Sequence, residues 1–394
     1  MVETARSNRI HITLYGRRNV GKSSLVNALC GQEVSIVSDV AGTTTDVVWK
    51  NIELPGIGAA VIGDTAGYDD CGELGAMRVD VTRRSVARTD VAIMLLHDNP
   101  EDNLLEKEWK ALLEKYGVPT LFVVSKSDNL ADTASKWEER LGVNVVKISL
   151  AVKENLAELV ARIAGWICEG ENAADDITRS LVNAGDIVVL VMPQDAQAPK
   201  GRLIQPQVLT LRNLLDKHCI PLCCAPEEYP TLLDSLAVAP SLVITDSQVF
   251  ATVDKLTPPN VRLTSFSVLM ARHKGDMTLF LRGADKLLAL GPSGRVLIAE
   301  ACSHVPQHED IGRVKLPRML RSRFGEDLRI DVVSGNDFPE DLTAYDIVIH
   351  CGACMFTRRH VMHRVRQAVM QGVPVTNYGI AIAALTGILE RVEV

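Results

Sequence analysis

The chain has 394 residues, too many for one ordinary hydrophobic core, so two or three domains are the natural reading. Hydrophobic residues make up 47% and charged residues 23%, which excludes a disordered chain. A net charge of −7 speaks against broad binding to a phosphate backbone, and aromatics at 4% leave few platforms for stacking bases, so no nucleic-acid partner is expected.

Residues 1–9 are polar, and the apolar stretch that follows is too short for an export signal. No apolar run approaches the roughly 20 residues that span a bilayer, so a cytoplasmic location without a membrane partner is expected. Thiols are normally reduced there, so the nine cysteines are not read as a disulfide framework. Residues 10–15 read as a short strand, followed by a Gly-rich turn and a helix over 22–29. Strands are expected at 59–63, 91–96, 121–124 and 145–148, with helices between them, among them 103–116 and 155–168. This rhythm predicts a mostly parallel sheet with helices on both faces, in a first domain over residues 1–168. Residues 169–176 are acidic and poor in large apolar side chains, and read as a linker. A small α/β domain follows over 177–260, with strands at 186–191, 221–224 and 242–244 and helices at 208–217, 230–236 and 247–256. A third, Rossmann-like α/β domain over 261–394 has strands at 295–299, 328–333, 345–349 and 373–376. Its helices are expected around 277–289, 312–323, 358–370 and 381–389.

Gly16-Arg17-Arg18-Asn19-Val20-Gly21-Lys22-Ser23 matches G-x-x-x-x-G-K-[ST] between a strand and a helix. The glycines let backbone N–H groups cradle phosphate oxygens, Lys22 brings a point charge to the β- and γ-phosphates, and Ser23 offers a hydroxyl to Mg²⁺. Gly16, Asn19, Val20, Gly21 and Ser24 complete the phosphate-binding set. Asp64-Thr65-Ala66-Gly67 follows the next strand, with Asp64 placed for the magnesium shell and the Gly67 amide for the γ-phosphate. Thr44, in Gly42-Thr43-Thr44-Thr45-Asp46, stands where a switch threonine would add a second hydroxyl to magnesium. Ser125-Lys126-Ser127-Asp128 ends a strand, and Asp128 can accept both N–H donors of the guanine edge, where adenine presents an acceptor. GTP and GDP are thus the expected ligands, with Lys126 beside the base and Lys22, Thr44, Asp64, Gly67 and Asn19 as the catalytic set.

In these four motifs residues 8–168 resemble the GTPases related to translation factors, the group of the tRNA-modification GTPase MnmE and the ribosome-assembly GTPase Era. Ser125 stands where that group has Asn, and Ser149-Leu150 replaces its Ser-Ala. Many GTPases place a water-orienting Gln just after the D-x-x-G turn, and here that position is Tyr68. The resemblance implies that Asn19 helps hold K⁺ against the phosphates, in the place of an arginine finger.

Cys302-Ser303-His304 and His350-Cys351-Gly352-Ala353-Cys354 each follow an expected strand. Strand C-terminal ends of an open parallel sheet converge, which would bring these donors together. Three thiolates and imidazole fit either Zn²⁺ or a [4Fe–4S] cluster, and the spacing leaves both open. Together with Asp310-Ile311-Gly312-Arg313 and Ala198-Pro199-Lys200-Gly201-Arg202-Leu203, the pattern resembles HydF, the family of [FeFe]-hydrogenase maturation GTPases. The resemblance implies a [4Fe–4S] cluster on Cys302, Cys351 and Cys354, with His304 and His350 as weak ligands or neighbours of an exchangeable position. It also implies a homodimer through the middle domain, and partners in apo-[FeFe]-hydrogenase and the radical-SAM maturases. The family scaffolds or delivers the diiron subcluster precursor. The competing reading is an RNA-directed GTPase with a zinc-binding C-terminal domain, which the acidic balance and low aromatic content oppose. Cys219, Cys223 and Cys224 read as core, and His308, His360 and His363 as surface residues.

Overall fold

The computed structural model describes residues 9–30, 47–55, 57–125, 130–149, 155–171, 176–194, 203–301, 310–335, 337–353 and 356–393. The chain divides into two compact units, 1–172 and 173–394.

The first unit is built on a six-stranded sheet, ordered β2-β3-β1-β4-β5-β6. Its strands are β1 (Ile10–Tyr15), β2 (Val48–Leu54), β3 (Gly58–Asp64), β4 (Val91–Leu96), β5 (Thr120–Val124) and β6 (Val145–Lys147). Helices α1 (Lys22–Cys30), α2 (Glu73–Ser85), α3 (Leu104–Lys115), α4 (Leu130–Leu141) and α5 (Leu156–Glu171) alternate with them. All neighbours are parallel except β2, which runs antiparallel on β3. Every residue of β4 is buried, as a strand covered on both faces should be. β2 is absent from the sequence reading: it lies at the edge, with polar residues through its middle and only Leu54 fully buried. Helix α5 runs to Glu171, past the boundary expected at 168.

The second unit carries two four-stranded parallel sheets, β10-β9-β7-β8 and β12-β11-β13-β14. The first comprises β7 (Ile187–Val191), β8 (Ile220–Cys224), β9 (Leu242–Thr245) and β10 (Arg262–Ser265), with α6 (Gln205–Asp216), α7 (Tyr229–Ser235), α8 (Phe250–Leu256) and α9 (Phe266–Lys274). The second comprises β11 (Arg295–Ala299), β12 (Arg329–Val333), β13 (Ile347–His350) and β14 (Val375–Asn377), with α10 (Met277–Leu288), α11 (Leu316–Phe324), α12 (Arg358–Met370) and α13 (Tyr378–Leu385). The boundary expected at 260 is corrected here, because β10 lies beyond it and pairs with β9. The tail also returns to this sheet: Glu393 donates to the Leu263 carbonyl at 2.9 Å. Val189, Val191 and Val243 of one sheet share a single buried cluster with Leu297, Ala299 and Val348 of the other. Two expectations of burial are reversed. Cys223 is exposed, because β8 is an edge strand with one side uncovered. His360 is buried and stacked on Phe356, with ring centroids 3.8 Å apart.

Among the described residues, no helix is long and apolar enough to cross a membrane.

Candidate functional site

In the first unit, parallel register aligns the ends of β1, β3 and β4, so Gly16, Asp64 and His97 emerge along one edge of the sheet. The chain from Gly16 to Gly21 turns there and opens α1. Close packing leaves no room for a side chain at its start. A Cβ on Gly16 would lie 2.8 Å from the Leu95 carbonyl oxygen. Asn19 adopts φ 56° and Gly21 φ 109°, in the region that lets successive N–H groups point inward. Val20 is buried in the core and anchors the loop, leaving its backbone to the ligand.

A cleft of about 530 Å³ opens over this loop. Asn19, Gly21, Lys22, Ser23, Ser24, Asp64 and Gly67 are among the residues that line it; Gly16 and Val20 are not. Lys22 is 7% exposed, and its Nζ donates to the Gly16 and Arg17 carbonyls at 2.9 and 2.8 Å. Burial pushes its ammonium down to about 8, against the pull of Asp64, Asp69 and Asp70. Ser23 Oγ donates to Asp64 Oδ2 at 2.7 Å, while Asp64 Oδ1 is buried without a hydrogen-bond partner. A hydroxyl and a carboxylate so placed, with one oxygen unclaimed, fit a magnesium ion, which prefers hard oxygen donors. Gly67 lies hard against the loop: a Cβ there would stand 2.6 Å from the Arg18 amide nitrogen. Tyr68 turns away from the cleft. It is 4% exposed, and its ring stacks on Trp109 at 5.2 Å. Ser125 Oγ reaches the Val20 carbonyl at 3.5 Å. Thr44, Lys126 and Asp128 lie outside the described residues.

In the second unit, Ala299 pairs with His350, so the loops after β11 and β13 leave the sheet side by side. Cys351 is the described member of the cysteine set; Cys302, His304 and Cys354 lie outside the described residues. The Cys351 sulfur accepts from the Ala301 amide at 3.0 Å and from the Ala353 amide at 3.4 Å. The first of these donors immediately precedes Cys302, so the two motif loops meet at this sulfur. Two N–H donors aimed at one sulfur fit a thiolate, the form that ligates metal. Among the described residues no group of three or more His, Cys, Asp or Glu is placed to hold a metal ion.

His350 is 1% exposed with both ring nitrogens engaged: Nδ1 is 2.9 Å from the Cys351 carbonyl and Nε2 is 3.4 Å from the Arg364 guanidinium. Burial, with Arg364 beside it, pushes this imidazole down to about 3. The structure therefore places His350 behind the loop, shaping it. Arg364, 3% exposed, also reaches the Glu300 carbonyl at 3.5 Å and the Gly335 carbonyl, and so ties together the ends of β11, β12 and β13. Asn377 Nδ2 donates to the Cys351 carbonyl at 3.2 Å. Lys274, also 3% exposed, donates to the Ala353 and Phe356 carbonyls at 2.9 and 2.7 Å. Sequence reading misses Arg364, Lys274 and Asn377. A signal exists for the first two: each is a charged residue in phase with an apolar helix face, Arg364 with Val361, Val365 and Ala368, and Lys274 with Met270 and Ala271.

Three family models match the chain. Residues 11–126 match a 50S ribosome-binding GTPase domain, residues 177–275 the hydrogen maturase F dimerization domain, and residues 278–393 the hydrogen maturase F tetramerization domain. Among curated proteins, the tRNA modification GTPase MnmE of Laribacter hongkongensis is 35% identical over 180 residues, covering 43% of this chain and 39% of that protein. The MnmE of Neisseria meningitidis serogroup C is 37% identical over 172 residues, covering 41% and 36%. The chain thus spans about two fifths of the length of these relatives. Among solved structures, a probable GTP-binding protein engB is 21% identical with a TM-score of 0.35, covering 40% of this chain and 99% of that one. An Era protein of Aquifex aeolicus bound to GDP and AlF4⁻ is 18% identical with a TM-score of 0.33, covering 58% and 98%. With a GTPase domain followed by both of that family's own domains, the chain belongs to the hydrogen maturase F family.

Proposed function

We propose that this chain hydrolyses GTP and carries a [4Fe–4S] cluster on Cys302, Cys351 and Cys354, acting in the cytoplasm to bring the diiron subcluster precursor to apo-[FeFe]-hydrogenase. The nucleotide half of the reading assigns each group by its chemistry. Lys22 leaves its loop carbonyls for the β- and γ-phosphates, where its charge offsets that developing in the transition state. Ser23 and Asp64 position magnesium, with Thr44 as the second hydroxyl. The Gly67 amide meets the γ-phosphate, and Lys126 and Asp128 hold and select the guanine. Asn19 helps to bind K⁺ along the phosphates.

The observation that carries the metal half is the Cys351 sulfur, held by two amides, one of which belongs to the residue before Cys302. When bound, the cluster supplies an attachment point of adjustable charge for the diiron cargo. The chain's own part is to bind three irons through thiolates and to leave the fourth accessible, with His304 beside it. A homodimer formed through residues 177–275, and passing contacts with radical-SAM maturases, complete the reading.

Anaerobic purification with iron, sulfide and zinc analysis tests it. Near-stoichiometric iron and sulfide, lost in Cys351→Ser and kept in His350→Ala, is the expected result. A colourless protein holding zinc instead would overturn the cluster assignment. In the same preparation, GTP hydrolysis that is indifferent to exchange of K⁺ for Na⁺ would remove the potassium role of Asn19.

A further inference from the structure

The phosphate loop is gripped from behind by a carboxylate that the nucleotide chemistry leaves unused. Glu106, in the first turn of α3, is fully buried. Arg17 Nε donates to its Oε1 at 2.7 Å, and Arg17 NH2 to its Oε2 at 3.0 Å. The Tyr68 hydroxyl donates to the same Oε1 at 3.0 Å, and His97 Nε2 stands 3.4 Å from it. One side chain thus collects Arg17 from the phosphate loop, Tyr68 from the end of the Asp64–Gly67 turn and His97 from the loop after β4.

Arg17 and Tyr68 are each held by further contacts as well. Arg17 also bonds the Asp102 carboxylate at 2.5 Å, and its carbonyl is an acceptor for Lys22. Tyr68 is stacked on Trp109, on the same buried stripe of α3 as Glu106. In front, the two nucleotide loops touch directly: the Arg18 amide donates to Asp69 Oδ1 at 2.7 Å, beside Gly67. The Gly67 amide and the Lys22 ammonium therefore take their separation from a joint with two fixings, one at the cleft and one at Glu106.

A fully buried ionised carboxylate is costly to maintain, and an apolar replacement of similar volume is often as stable. A site that needed only core volume would be served by Leu. What Glu106 adds is registry between two loops that both face the γ-phosphate. We infer that Arg17, Glu106 and Tyr68 form a positioning strut for GTP hydrolysis. Tyr68 occupies the place of the water-orienting glutamine of other GTPases, and sets the distance between the Gly67 amide and the phosphate loop.

The inference rests on the GTP-hydrolysing reading above, and its test uses the full chain. Tyr68→Phe removes one hydroxyl and keeps the stack on Trp109. It should lower kcat about tenfold or more, since small displacements in a preorganised site are costly in rate, while GDP affinity and Tm barely change. Glu106→Gln should do at least as much. Because Tyr68 acts through the Glu106 carboxylate, the double variant should be no worse than Glu106→Gln alone. Arg17→Lys, which keeps the charge but loses the bidentate fork, should also lower kcat and covers the case in which Glu106→Gln fails to fold. A Tyr68→Phe protein with kcat within twofold of wild type would overturn the strut. So would losses that multiply in the double variant, or a fall in Tm without a fall in kcat. A wild-type chain that binds GTP without turning it over would overturn the hydrolysis reading itself, and that failure shows before any substitution is made.

Discussion

The nucleotide cleft and the Cys351 loop solve one geometric problem in opposite ways. Both lie where parallel strands end: one loop turns over an open cleft, and the other directs two amides at the Cys351 sulfur. In the cleft, the shape comes from the loop's own short sequence: Gly16 and Gly21 permit the turn, Asn19 accepts a left-handed backbone, and Val20 pins it to the core. In the Cys351 loop, the shape comes from elsewhere. Lys274 and Arg364, each on a separate helix, reach in and hold its carbonyls or those of neighbouring loops. A nucleotide site can therefore travel as an eight-residue motif, whereas this second site requires the surrounding unit to be assembled. That fits a second unit whose two sheets share one core and whose tail returns to the first of them.

The largest effect expected from this contrast lies in the motif itself. Lys22→Ala removes the cation nearest the phosphates and should cost on the order of a hundredfold or more in kcat, with little change in Tm. The cysteine loop should be untouched, so iron content should equal that of wild type. A Lys22→Ala protein that also lost iron would show that the two units are not independent in this respect, and would break the comparison.

The second prediction concerns Lys274. Replacement by Met keeps the stem but strands the Ala353 and Phe356 carbonyls, at roughly 1–3 kcal/mol for each acceptor left buried. Ala353 already sits at φ 51°, a conformation that a non-glycine residue holds only under constraint. Lys274→Met should therefore lower the unfolding temperature of the second unit and weaken metal retention, while GTP turnover stays at the wild-type rate. Arginine at this position should recover part of the loss, because it still offers donors. A Met variant with unchanged stability and iron content would mean that the loop holds its own shape, as the phosphate loop does.

How much of this is legible in the sequence follows from the same contrast. The strand-helix rhythm and the buried strands β1, β4 and β7 stand out as apolar runs, and the phosphate loop as a contiguous motif. β2 escapes because an edge strand needs few apolar residues. β10 and α9 escape because Pro258–Asn260 reads as a break although the chain continues into the same sheet. Cys351 is marked by its spacing to other cysteines, but the buried cations around it are not, since partners such as Lys274 and Ala353 are 79 positions apart. Glu106 is hidden in a different way. It shares the buried stripe of α3 with Trp109 and Leu113, and a lone charge on such a stripe is the one trace it leaves in the sequence.

The smallest expected effect sharpens the comparison through acid stability. Burial alone would raise the Glu106 pKa, but the bonds from His97 and Arg17 outweigh it and hold the carboxyl down from 4.5 to about 2. A depressed folded-state pKa means that the ionised carboxylate stabilises the fold above the ordinary value, and that this stabilisation drains away as pH falls from about 4.5 towards 2. The amount at stake is on the order of 3 kcal/mol. It belongs to the first unit alone, and so do all four tryptophans, at positions 49, 109, 137 and 166, whose fluorescence therefore follows that unit without contribution from the other. Urea midpoints read by tryptophan fluorescence should separate wild type from Glu106→Gln most widely at pH 6 and progressively less from about pH 4.5 down to pH 3, because the unfolded chain takes up a proton there that the folded carboxylate still refuses. A separation that stays constant across this range would mean that Glu106 acts through its shape and its neutral hydrogen bonds, and the charge at the centre of the strut would have no part in holding the two nucleotide loops in register.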